Sequence, residues 1–291
     1  MGETLASRDA HLWNLIEDSD FITTDGFMRF TDTRPDLLYW KRDLVTRGGS
    51  WRGVKYPPLV AARKPPAATT VVLGHSDLMT GTALQMALKA RGYWSLWGTN
   101  VRARLPHASA LPLGLTNDCD DSPLHRILGN TDHLRQAFMS TERPTHESGT
   151  VMACFSLNTS PRHREPLAAL IREDHAFRWY DPDLSETGRI RFMSRLRTHD
   201  FVLCPRGNGT DTHRLWETLY MGGIPIVRRA DCWVSLLADL PVVIVDEWPE
   251  VMNPEFRSRE WHRVNSTQWS ASPLRQSTWN SRIGRLSAGS G

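Results

Sequence analysis

The stretch FVLCPRGNGTDTHRLWETLYMGGIPIV, Phe201 to Val227, constrains the fold more than any other part of the chain. Phe201-Val202-Leu203-Cys204 is a short apolar run that Pro205 ends, the pattern of a buried strand. Arg206-Gly207-Asn208-Gly209 reads as a loop whose glycines permit a tight bend. Asp211 or Thr212 stands where a helix cap belongs. Leu215, Trp216 and Leu219 give the following helix an apolar side, and Gly222-Gly223 stops it. Ile224-Pro225-Ile226-Val227 then opens a second buried strand. A strand–helix–strand unit of this kind leaves backbone N–H groups pointing beyond the first strand, at the helix N-terminus. Arg206, His213 and Arg214 add positive or donor groups at the same place, so an anion, most simply a diphosphate, is expected there. Glu217, one helical turn further, is placed to accept from ribose hydroxyls.

Composition narrows the class. The chain has 291 residues with 40% hydrophobic content, enough for two modest domains or one large α/β domain. A net charge of +3 does not by itself argue for nucleic acid. No apolar run approaches the roughly 20 residues of a membrane span. The N-terminal MGETLASRDAHLW lacks a basic-then-apolar export layout, which gives the expectation of a cytoplasmic protein with reduced thiols. Cys119, Cys154, Cys204 and Cys232 are scattered, without zinc spacing.

Earlier in the chain, Leu12, Trp13, Leu15 and Ile16 sit at helix spacing, and Phe21 to Phe30 reads as a short strand or hairpin around Asp25-Gly26. Thr69 to Leu73 is the first convincing buried strand, with Gly74-His75-Ser76-Asp77 at its end. Residues 82 to 91 read as a helix, Tyr93 to Trp97 as a strand, and Ala110 to Leu115 as another short apolar run. Val151 to Phe155 opens a second set of strands, with Ser156-Leu157-Asn158-Thr159 at its end. Residues 166 to 172 and 190 to 196 read as helices, and Pro241 to Val245 as a strand. From Glu255 to Gly291, six arginines against two glutamates, a net of +4, interleave with Trp261, Trp269 and Trp279. That tail reads either as a packed return helix with a loose end or as a basic, aromatic binding face.

CPRGNGTDTHRLWETLYMGGIPIV resembles the C-terminal signature of exostosin-like glycosyltransferases, the group related to glycosyltransferase family 47. It is most similar to small bacterial and viral members with CP-x-GNG-x-DTHR-x-WE. Further landmarks are His75-Ser76-Asp77, Trp97 to Val101, Pro112 to Asn117, His125 to Asn130 and the Ser156 to Arg164 segment, so the likeness spans roughly residues 70 to 250. It implies a GT-B fold: two Rossmann-like domains facing a cleft, here residues 1–146 on the acceptor side and 147–255 on the donor side, followed by 256–291. It also implies a nucleoside-diphosphate-sugar donor and a hydroxyl acceptor. The acceptor expected is a glycan or glycoconjugate, with a hydroxymethylated base in DNA as a second candidate. The expected donor-binding residues are Asn158, Thr159, Arg164, Arg206, Gly207, Asn208, Gly209, Thr212, His213, Arg214 and Glu217. Arg164 is preferred to Arg162 because its spacing fits the relatives.

Glycosyl transfer to a hydroxyl with inversion needs a base. Asp77 is the candidate, with His75 as its partner or substitute; retaining chemistry stays open. Asp118-Cys119-Asp120 and Asp181-Pro182-Asp183 match the D-x-D pattern of metal-using transferases, but neither follows a convincing sugar-binding strand, so no metal and no cofactor are expected. The rival function is a non-catalytic nucleotide- or nucleic-acid-binding protein of the same fold.

Overall fold

The structure is a computed structural model that describes residues 2–41, 67–75, 81–101, 107–118 and 123–288. The chain is α/β, with two separate parallel sheets. It divides into one unit of residues 1–21 and 114–275 and another of residues 22–113 and 276–291. This differs from a division near residue 146. Residues 114–146 group with the larger unit, and both chain ends are exchanged: the first helix, α1 (Gly2–Asp18), belongs with the larger unit, and the last helix with the smaller one.

The smaller unit begins with α2 (Thr24–Asp32), where a hairpin was expected. Thr23 caps this helix, its Oγ1 accepting from the Gly26 N–H at 2.9 Å, and Phe27 is buried. Local capping and a single apolar face outweigh the turn character of Asp25-Gly26. Next come β1 (Leu37–Lys41), β2 (Thr70–Gly74), α3 (Thr82–Ala90), β3 (Ser95–Gly98) and β4 (Ala108–Ala110). The sheet runs β1-β2-β3-β4, every pair parallel. Thr70 to Gly74 is buried throughout, as the unbroken apolar run TVVL requires of a strand covered on both faces. The C-terminal helix α11 (Gln276–Ala288) completes this unit, burying Trp279 and Ile283, and Gln276 accepts from the Thr23 N–H at 3.0 Å.

The larger unit continues with α4 (Pro123–Leu128), α5 (Thr131–Ser140), β5 (Val151–Ala153), α6 (Pro161–Ile171), β6 (Phe177–Trp179), α7 (Glu186–Thr198), β7 (Phe201–Leu203), α8 (His213–Tyr220), β8 (Ile224–Arg228), α9 (Val234–Leu237), β9 (Val243–Val245) and α10 (Pro254–Ser266). Its sheet runs β6-β5-β7-β8-β9, all parallel. In strand terms this is the doubly wound order 2-1-3-4-5, and the direction of winding reverses between β5 and β7. Leu167, Ala168 and Ile171 of α6 and Trp261 and Val264 of α10 pack on Val151, Ala153, Phe201, Leu203, Ile224 and Ile226. Each valine, leucine, isoleucine or phenylalanine among them contributes about 1.5–3 kcal/mol on burial.

The tail tryptophans belong to these cores. Trp261 and Trp279 are buried, and the half-buried Trp269 donates to the Val264 carbonyl at 2.8 Å. Trp261 donates to Asp200 at 3.1 Å, just ahead of β7. These indoles therefore pack inside the protein and form no solvent-facing aromatic row. Among the described residues, no helix is long and apolar enough to cross a membrane.

Candidate anion-binding site

β5 and β7 lie side by side, with Val151 opposite Phe201 and Met152 opposite Val202. They are followed by two loops, residues 154–160 into α6 and 204–212 into α8. Because winding reverses between these strands, the two loops leave in opposite directions and open a crevice, the usual ligand position in such sheets. Both helices that start there lack a side-chain cap: Ser160 caps α6 with φ of 56°, and Thr212 caps α8 in extended conformation. Asp211, one of two expected caps, instead accepts from the Trp216 indole at 2.8 and 3.0 Å.

Arg164 laces the two loops together. Its Nε donates to the Arg206 carbonyl and its Nη1 to the Ser156 carbonyl, both at 2.9 Å, and only 6% of the residue is exposed. The guanidinium also lies 5.7 Å from the Phe155 ring centroid. Arg214, in the first turn of α8, stands over Phe192 at 5.8 Å, and its buried Nε has no hydrogen-bond partner. Burial first, and then the Arg214 charge, pushes the Arg164 guanidinium down to about 10. The two guanidinium groups therefore repel each other, while nearby carboxylates are engaged elsewhere. Asp231 pairs with Arg228 at 2.8 Å and Arg206 at 3.8 Å, and Glu217 pairs with Arg189 at 2.7 Å. Burial, then Arg206, pushes the His163 imidazole down. An anion seated between Arg164 and Arg214 would remove this repulsion.

Gly207 forms the open side of the seat. A Cβ there would lie 3.5 Å from Arg164 Nη2, 3.7 Å from Thr159 Cγ2 and 4.0 Å from Thr212 Cγ2. The structure therefore brings Thr159, Arg164, Gly207 and Thr212 together. The expected reason for this glycine was a tight bend, but its φ is not in the left-handed region; what it leaves is space. The glycine that does need a positive φ is Gly222, at 79°. There the Gly223 N–H reaches the Thr218 carbonyl and the Gly222 N–H the Leu219 carbonyl, closing α8 with a paired C-terminal motif.

The remaining expected donor residues are placed as follows. Arg206 folds over its own loop, donating to the Gly207 and Asn208 carbonyls at 3.4 and 3.3 Å. The Gly209 carbonyl accepts from the Gly207 N–H at 3.1 Å. Asn158 lies in the β5 loop, one residue before Thr159. His213 Nδ1 meets the Gly114 carbonyl at 2.8 Å, so Nδ1 carries the proton. Glu217 faces inward rather than toward solvent, 5% exposed, against Arg189 of α7, which also donates to the Leu128 carbonyl. Burial alone pushes the Glu217 carboxyl up, yet Arg189, with His213 and Arg214 behind it, holds it below the ordinary carboxylate value. The pairing of Glu217 with Arg189 was not foreseen, because nothing local in the sequence links residues 28 apart.

In the smaller unit, His75 ends β2 with φ of 54°. Its Nε2 is 2.7 Å from Asp25 Oδ1 and its Nδ1 is 2.7 Å from the Tyr39 hydroxyl, which lies 3.2 Å from the Thr24 carbonyl. Burial, then Asp25, pushes the Tyr39 hydroxyl upward. A Cβ at Gly74 would overlap the Tyr39 hydroxyl, so this crossing depends on the glycine. Asp25 and Tyr39 are site candidates that sequence reasoning missed; the one available signal was an acid in the first turn of a capped helix. Asp77 and Ser76 lie outside the described residues, as does Asp120 of the first D-x-D pair. Of the second pair, Asp181 accepts from Trp179 and Asp183 from Ser185 and Arg191.

Comparison with protein-family models and with curated proteins gives no match to this chain.

Proposed function

We propose that the chain is a glycosyltransferase of GT-B-like architecture that takes a sugar from a nucleoside-diphosphate donor and passes it to a hydroxyl acceptor. The observation that carries this reading is the placing of Arg164 and Arg214 in the first turns of α6 and α8, the two helices that follow the adjacent strands β5 and β7, with the buried Arg214 Nε left without a hydrogen-bond partner. Departure of a nucleoside diphosphate develops negative charge on its phosphates. Fixed guanidinium and backbone N–H donors stabilise that charge without having to reorganise. Thr159 and Thr212 border the same space through their methyl groups. Asp77 or His75 would receive the acceptor's proton, with Asp25 and Tyr39 orienting the imidazole. A glycan or glycoconjugate is the proposed acceptor. The buried Trp261 and Trp279 take away the aromatic face that had favoured modified DNA.

A non-catalytic nucleotide-binding protein is the second reading. It is favoured by one observation: both ring nitrogens of His75 are engaged. Labelled nucleotide-sugars separate the two. A thermal-shift panel would first identify the donor, since a ligand at 100 times its Kd adds about 2.7 kcal/mol. Release of free nucleoside diphosphate and labelling of an acceptor support transfer; tight binding with no turnover supports the second reading.

A further inference from the structure

A cavity of about 250 Å3 lies beside the phosphate seat, lined by Leu157, Ala168, Ile171, Arg172, Phe177 and Trp179. It runs between α6 and the edge strand β6. Its lining is aliphatic and aromatic except for Arg172, which is exposed at its rim. An apolar cavity of about 150 Å3 holds a benzene ring, so this one has room for a larger planar ring. Trp179 is 38% exposed. Its ring is held edge-on against Phe155 with centroids 4.9 Å apart, and its Nε1 donates to Asp181 at 3.0 Å. The indole is thus fixed in place while part of it stays available.

Cavity and phosphate seat share one piece of chain. Phe155 carries Trp179 on one side and the Arg164 guanidinium on another. Leu157 lines the cavity, and Thr159, two residues on, borders the seat. Two residues span at most about 7 Å, the kind of gap a ribose bridges between its base and its 5′ phosphate. Aromatic walls with a guanidinium at the rim match a flat ring bearing hydrogen-bond acceptors on its edge.

From this juxtaposition we infer that the α6–β6 cavity takes the nucleobase of the ligand whose phosphates sit at Arg164 and Arg214. The inference rests on the phosphate reading above and adds to it that the base is held in a built pocket. Ribose and base then extend from the seat toward β6, away from Glu217.

Calorimetry with uridine, guanosine and adenosine 5′-diphosphates and with inorganic pyrophosphate tests it. Trp179→Ala should weaken the best-bound nucleoside diphosphate by about 5- to 150-fold, the loss of one base–aromatic stack, and leave pyrophosphate unchanged. Ala168→Leu, which narrows the cavity while keeping the indole, should give the same selective loss. Equal losses for nucleotide and pyrophosphate, or no loss for the nucleotide in Ala168→Leu and Trp179→Ala proteins that melt like the parent, overturns the base pocket and leaves the phosphate seat standing. If the unaltered protein binds neither ligand, the phosphate reading fails and the base pocket fails with it.

Discussion

Arg214→Met separates a ligand-binding arginine from a structural one. The substitution keeps an unbranched chain against Phe192 and removes the charge. Arg214 makes no ion pair among the described residues and its Nε has no hydrogen-bond partner, so the fold loses little beyond the Phe192 contact and a minor part, behind Arg189 and His213, of the support for the Glu217 charge. A cation–π contact near a partly exposed ring contributes about 0.5–1 kcal/mol. Against that stands relief of Arg164, whose guanidinium Arg214 disfavours. For a protein of this size, Tm is therefore expected within about 3 °C of the parent. Binding should behave differently. A charge-assisted bond to phosphate contributes about 1.5–3 kcal/mol, so nucleoside-diphosphate affinity should fall by about 10- to 150-fold. Differential scanning fluorimetry and calorimetry on one preparation read both quantities. A drop of several degrees in Tm with unchanged affinity would show that Arg214 holds the fold and has no part in binding.

Four further outcomes follow from the geometry. Gly207→Ala places a methyl among Arg164, Thr159 and Thr212 without a clash, so Tm should hold while nucleotide affinity falls about tenfold or more, as calorimetry would read. Glu217→Ala leaves Arg189 buried and unpaired, at a cost of about 3–5 kcal/mol; an unchanged Tm with lost nucleotide affinity would instead restore the ribose role. The His163 imidazole has a folded pKa below that of free imidazole. Between the two values only the unfolded chain holds the proton, so stability is lost as pH falls from about 6.5 down through the folded value; an NMR titration that puts His163 at or above about 6.5 would contradict this. Asp77→Asn should cut transfer about 10²–10⁴-fold with donor binding kept if Asp77 takes the proton, and Asp25→Asn should cut it if His75, which Asp25 orients, takes it; rates within twofold of the parent for both would place the base elsewhere.

The β7–α8–β8 unit was legible because its signals are local: an apolar run, a proline, a glycine pair at a helix end. The gathering of Thr159, Arg164, Gly207 and Thr212 was legible for the same reason, since they belong to the two loops that follow adjacent strands and to the first turn of α6. What escaped depends on distant partners. Nothing near Glu217 announces Arg189, and helix spacing alone does not say which face of α8 turns inward. Asp25 and Tyr39 meet His75 across 50 and 36 residues. β1 was missed because LLYWK is short and lies between segments with mixed signals. The exchange of α1 and α11 between units is a tertiary choice that no local pattern encodes. Gly207 was read as a bend, yet its φ does not require glycine, because a sequence does not distinguish a glycine kept for its φ from one that leaves space.

The central claim is that a nucleoside diphosphate sits where β5 and β7 end. A crystal structure of the protein with the best-binding nucleoside diphosphate tests it most directly. The account predicts phosphate oxygens within hydrogen-bond distance of the Arg164 or Arg214 guanidinium and of backbone N–H groups at the start of α8. Phosphates bound elsewhere, with Arg164 and Arg214 touching no part of the ligand, would contradict it.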